Sequence, residues 1–91
     1  MIPFLKSLRY RKASEKAAHL MSLGYIVFSP ISHSHKISKY VTDIDWIKQD
    51  LPFMAVCDEL WIYCLWGWEK SDGIKREIKE ANKLGKGIRY L

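Results

Sequence analysis

Apolar and polar positions along this chain fall into stretches of helical and strand-like pattern. Over residues 5–23 the apolar side chains Tyr10, Ala13, Ala17, Leu20 and Met21 lie within a stripe about 100° wide at 3.6 residues per turn. Gly24 follows where a helix terminator belongs. Tyr25-Ile26-Val27-Phe28-Ser29 is short, β-branched and aromatic without alternation, the pattern of a strand buried on both faces, and Pro30 ends it. Residues 31–42 are polar and read as an irregular loop. A second helix is expected over 43–56, with Ile44, Ile47, Leu51, Met54 and Ala55 on its apolar side. Pro52 must kink it or start a new turn. Glu59-Leu60-Trp61-Ile62-Tyr63-Cys64-Leu65 is a second strand and Trp66-Gly67-Trp68-Glu69-Lys70 a loop. Ser71 or Asp72 caps a third helix ending at Leu84-Gly85, and residues 87–91 form a last short strand.

The order α-β-α-β-α-β, with helix-length connections between apolar strands, predicts parallel pairing. The expected fold is α/β and three-layered. It is a short parallel sheet of three to four strands flanked by helices, a truncated Rossmann- or flavodoxin-like architecture in a single domain over residues 1–91. A doubly wound sheet normally opens with a strand, and only residues 1–5 are available for one here.

Composition narrows the class. The chain has 91 residues, 48% hydrophobic and 27% charged, which excludes disorder and allows one modest core. Four Trp and five Tyr are many for this length, so some rings are expected to face a ligand or a second chain. Cys57 and Cys64 are too few for a disulfide framework or a four-ligand zinc site, which fits a reducing compartment. With no signal-like start and no membrane-length apolar run, the expected location is cytoplasmic, with no membrane partner. The net charge of +5 favours anionic partners, and Lys6, Arg9, Arg11, Lys12 and Lys16 supply much of it. This cluster reads either as a solvated helix face or as a nucleic-acid surface, and it lacks the interleaved aromatics of a stacking platform.

The third helix holds the most informative residue. Ile74, Ile78, Ala81, Leu84 and Gly85 share one side, and Lys75, Arg76, Lys79, Glu80 and Lys83 the other. Glu77 falls about 300° from Ile74, between Leu84 and Ala81, on the side facing the sheet. A carboxylate there is costly unless paired or used. Either Glu77 is a stripe-edge residue that pairs with a cation or reaches water, or it serves a ligand near the carboxyl end of a strand. Ser71-Asp72-Gly73 offers a cap, a carboxylate and exposed N–H groups at the helix start. His33 and His35 alternate and, if extended, point the same way, but no third metal ligand accompanies them. Trp66 and Trp68 flank Gly67, so that either one stacks on a base while the other packs inward, or both serve core or interface packing. No phosphate loop or Walker motif is present.

Asp72-Gly73, Glu77, Ala81 and Gly85-Lys86 in this spacing resemble the closing motif of the nucleoside 2-deoxyribosyltransferase superfamily. Asp50-Leu51 and Cys57-Asp58-Glu59-Leu60 resemble that family's helix Asp and the Asp leading into the next strand. Phe28-Ser29-Pro30-Ile31-Ser32-His33-Ser34-His35 and Trp66-Gly67-Trp68-Glu69 are similar to a bacterial and phage branch of unassigned function. The resemblance spans residues 11–91. It implies that Glu77 attacks an anomeric carbon, with Asp50 and Asp72 near the base or sugar hydroxyls, and Ser29 and Pro30 shaping the pocket floor. The family's opening strand, with its aromatic residue, has no good match in residues 1–7.

The expected function is therefore binding of a nucleoside- or nucleotide-like ligand, with cleavage or transfer at the N-glycosidic bond through Glu77. Ser29, Pro30, His33, Asp50, Trp66, Ser71, Asp72 and Gly73 are the expected substrate contacts. No metal and no cofactor is called for, and a homo-oligomer is expected to cover an incomplete sheet. The alternatives are a non-catalytic nucleotide-derivative binder and a basic module for nucleic acid or protein.

Overall fold

The computed structural model describes residues 3–91, with side chains from Ser7 onward. Met1 and Ile2, part of the stretch available for an opening strand, lie outside the described residues, and from Pro3 the chain is helical. The fold is mixed α/β, with four helices and a two-stranded parallel sheet. The elements are α1 (Pro3–Ser22), α2 (Pro30–Ile37), α3 (Trp46–Val56), β1 (Glu59–Ile62), a 3-10 turn (Trp68–Lys70), α4 (Asp72–Lys83) and β2 (Gly87–Tyr90). Packing divides them into two compact units that meet in sequence between Ile44 and Asp45.

The first unit pairs α1 with α2. The end of α1 is closed as its glycine predicts: Gly24 takes φ +98°, its N–H donates to Met21 O (3.0 Å), and the Tyr25 N–H donates to Leu20 O (3.2 Å). These are the two bonds of a Schellman termination. Among the described side chains of α1, Ala17, on the predicted stripe, is the buried one. Ser14 Oγ lies 2.8 Å from Ser32 Oγ, tying α1 to α2 through a hydroxyl pair.

Two expectations change here. Residues 25–29 enter no ladder. Ser29 keeps an extended backbone (φ −108°, ψ 105°), yet the elements described in this unit are helices and offer no strand edge. Ile26 consequently stands fully exposed. A β-branched run favours extended backbone, but a strand exists only when a partner takes its hydrogen bonds. Residues 31–37, expected as part of a loop, join Pro30 in α2 instead. Pro30 does not merely end a strand; its fixed φ and missing N–H suit the first helical turn it occupies.

The second unit is a β-α-β arrangement with α3 packed on α4. β1 and β2 are parallel in the register Glu59↔Gly87, Leu60↔Ile88, Trp61↔Arg89 and Ile62↔Tyr90. The pairing continues beyond both strands, with Leu91 N–H donating to Ile62 O and Cys64 N–H to Leu91 O. α4 crosses between the strands and lays its apolar side against them; Ala81 is 0% exposed and Ile62 on β1 is 3% exposed. Gly85 (φ +70°) closes α4 as Gly24 closes α1, with Lys86 N–H donating to Ala81 O (2.9 Å). Pro52 neither splits nor restarts α3, which runs through it as one helix. Lys86 Nζ donates to Ala55 O (3.0 Å), satisfying a carbonyl at the end of α3.

Candidate functional site

The second unit brings two carboxyl groups into one interior. Asp50 lies on α3 and is only 6% exposed, while Glu77 lies on α4 and is partly buried. Burial, and then the charge of Asp50, push the Glu77 carboxyl up to about 7. Both causes act against the ionised form. Among the described residues Glu77 makes no ion pair with a cation.

The adjacent residue on α4 is paired elsewhere. Arg76 is committed to Asp45 through two 3.0 Å bonds, Nη1 to Oδ1 and Nη2 to Oδ2, a fork-to-fork pair on the outer side of the unit. The Arg76 guanidinium, and then the Lys48 N–H, hold the Asp45 carboxyl below its usual range. Asp45 also caps α3, accepting from Lys48 N at 3.2 Å. The same pair thus links the start of α3 to α4 and holds the neighbouring cation away from the interior carboxyls. This role of Asp45 and Arg76 was not visible in the sequence, because the two are 31 residues apart.

At the start of α4, Ser71 is the cap: its Oγ accepts from Ile74 N at 3.2 Å. Asp72, relieved of capping, is exposed in the first turn. A Cβ at Gly73 would meet Ser71 Oγ at 3.7 Å and Ile47 Cδ1 at 3.9 Å, ordinary contacts, so internal packing does not demand glycine there.

The two tryptophans after β1 differ in exposure. Trp68 tilts against Tyr90 with ring centroids 5.5 Å apart, whereas Trp66 is 79% exposed. Gly67 between them takes φ +83° and starts the 3-10 turn. Asp50, Trp66, Ser71, Asp72, Gly73 and Glu77 therefore share the second unit.

Ser29, Pro30 and His33 belong to the first unit. Ser29 Oγ donates to Ser32 Oγ (2.9 Å), and Pro30 opens α2. The alternating histidines do not point together. On a helix, positions two apart diverge by about 200°, and His35 stacks on Tyr10 (4.1 Å, 14°) while His33 tilts against Phe28 (5.5 Å, 51°). Among the described residues no group of three His, Cys, Asp or Glu is placed to hold a metal ion, and no helix is long and apolar enough to cross a membrane.

Comparison with known proteins adds a family and no assigned activity. Neither a curated protein nor a solved structure matches the chain. A family model described as a domain of unknown function, DUF1937, matches residues 5–90, nearly the whole length, and the chain belongs to that family.

Proposed function

We propose that the chain binds a nucleoside- or nucleotide-like ligand beside Glu77 and cleaves or transfers at its N-glycosidic bond. The observation that carries this reading is the Glu77 carboxyl at about 7, held there by burial and by Asp50 and without a neutralising cation among the described residues. Structural carboxylates usually keep a cation or a cap, and strongly shifted ones concentrate where chemistry is done. The resemblance to the nucleoside 2-deoxyribosyltransferase superfamily supports the same assignment.

In this mechanism ionised Glu77 attacks the anomeric carbon, and the C–N electron pair leaves with the base, which takes a proton from solvent. Water or a second base then displaces the carboxylate. Asp50 keeps Glu77 basic enough to exist in both protonation states near neutrality. Asp72 and the open start of α4 receive sugar hydroxyls, and exposed Trp66 offers its face to the base. The finer architecture, a three-layer domain with three to four parallel strands, belongs to the same proposal. It rests on the resemblance alone, since residues 25–29 enter no ladder. Self-association is supported by exposed apolar side chains such as Ile26 and Val56.

Incubation with a panel of deoxynucleosides and nucleotides, followed by chromatography, tests the chemistry. Free base is expected from the wild type and none from Glu77→Gln. Release that persists in Glu77→Gln overturns the assignment. A protonated Glu77 would also donate a hydrogen bond to a ligand without turnover. Calorimetric binding with no base release would favour that non-catalytic reading.

A further inference from the structure

The net charge of the protein is confined to one of its units. Residues 1–44 contain seven Lys and Arg against two Asp and Glu, whereas residues 45–91 contain eight of each. The whole excess of +5 therefore belongs to the first unit, where a hollow of about 410 Å3 lies between α1 and α2. Ser7, Tyr10 and Arg11 of α1 line it, facing His35 and Lys36 of α2 and Lys39 just beyond. No acidic side chain is among the lining residues. Glu15 reaches Arg11 at 3.8 Å, but both side chains are more than 60% exposed, so this pair yields readily to a competing anion. Tyr10 and His35, both lining the hollow, stack on each other with ring centroids 4.1 Å apart.

The basic residues of α1 lack the interleaved aromatics of a stacking platform; the fold sets His35 against Tyr10 of that helix and adds two lysines from 25 or more positions downstream. Arg11, Lys36 and Lys39 are all exposed, so their charges are open to an anion entering from solvent. The size falls within the range of small-ligand sites, about 300–1,000 Å3.

We propose that this hollow is a phosphate site, with Arg11, Lys36 and Lys39 as its cationic contacts and Ser7 as a hydroxyl donor. The phosphate comes either from a free nucleotide or from the backbone of a single-stranded nucleic acid. This site goes beyond the Glu77 chemistry and rests on none of it.

Calorimetry at low salt with adenosine 5′-monophosphate, with uncharged adenosine and with a short single-stranded oligonucleotide tests the assignment on the full chain. Saturable binding of a phosphate-bearing probe is expected. Lys36→Glu or Lys39→Glu should weaken it about 10- to 100-fold, the loss of one charge-assisted contact. Lys12→Glu makes the same charge change on α1 outside the lining and should weaken it much less. Saturation by the mononucleotide without tighter oligonucleotide binding assigns the site to a nucleotide. Tighter oligonucleotide binding with a steep salt dependence assigns it to a nucleic-acid strand. No binding of the monophosphate overturns the proposal, as does binding that Lys36→Glu and Lys39→Glu leave unchanged or an equal loss in Lys12→Glu. Lys36 and Lys39 lie outside the unit that holds Glu77, so a loss on their substitution assigns binding to this hollow whatever the Glu77 site binds, and the two sites stand or fall separately.

Discussion

Asp50 on α3 raises the proton affinity of Glu77 on α4, adding to the larger effect of burial, and the Glu77 carboxyl comes to rest at about 7. Two acids on packed helices thus share one interior, while the nearest basic neighbour in sequence, Arg76, is bound to Asp45. Several measurable consequences come from this arrangement and from the caps that build it.

The first is a pH dependence of stability. Glu77 titrates near 4.5 when unfolded and at about 7 when folded. Its stabilising contribution is complete below the unfolded value and is lost as pH rises through the folded one. The gap corresponds to about 3 kcal/mol. Glu77→Gln should therefore match the wild type in urea denaturation near pH 4 and exceed it by up to about 3 kcal/mol near pH 8. Equal stability at both pH values would contradict the buried carboxyl.

Replacing Asp50 by Asn removes one of the two causes and leaves burial in place. The Glu77 carboxyl should then titrate lower than in the wild type but still above an ordinary glutamate, as read by carbon-detected NMR. If Glu77 is the nucleophile, the rising limb of the wild-type rate against pH should lie near 7 and move down with the same substitution. A limb that stays in place would separate catalysis from Glu77.

Ser71→Ala removes the side-chain acceptor of Ile74 N and should cost about 1 kcal/mol, with Ser71→Asp restoring most of it. A larger and unrecovered loss would mean that Ser71 does more than cap α4.

The glycines divide by backbone. Gly24→Ala and Gly85→Ala place a Cβ at φ +98° and +70° and should each cost about 1 kcal/mol or more. Gly73→Ala meets only ordinary contacts and should be neutral or slightly stabilising. If Gly73→Ala also reduces base release while the fold keeps its stability, the ligand approaches α4 at that point.

Trp66 and Trp68 should respond differently. Trp68→Ala loses its packing on Tyr90 and should lower thermal stability. Trp66→Ala should weaken nucleoside binding about tenfold, as loss of a stacking face does. Unaltered binding in Trp66→Ala would remove that ring from the ligand site.

The elements with strong local signals were legible in the chain. The stripe and terminal glycine of α1, the apolar side of α4 with Glu77 set into it, and parallel strands around α4 follow from periodicity and from cap chemistry that acts over a few residues. Tyr25-Ile26-Val27-Phe28-Ser29 misled because its composition reports only a preference for extended backbone, whereas a ladder needs an edge from elsewhere. Pro30 misled in the other direction, since proline ends one element and begins another with equal ease. Once residues 30–37 coil, His33 and His35 part, and the shared direction expected of them disappears.

What the sequence by itself determined is local: which stretches coil, where glycine must stop them, and that one acid sits on the apolar side of its helix. Only tertiary packing decided what that acid meets. Asp50 and Glu77 come together, and Arg76 turns to Asp45, because α3 packs on α4. Lys36 and Lys39 join Arg11 because α2 folds back on α1. Such pairings depend on distance through space, and electrostatic and hydrogen-bond energies are set by that distance rather than by separation along the chain.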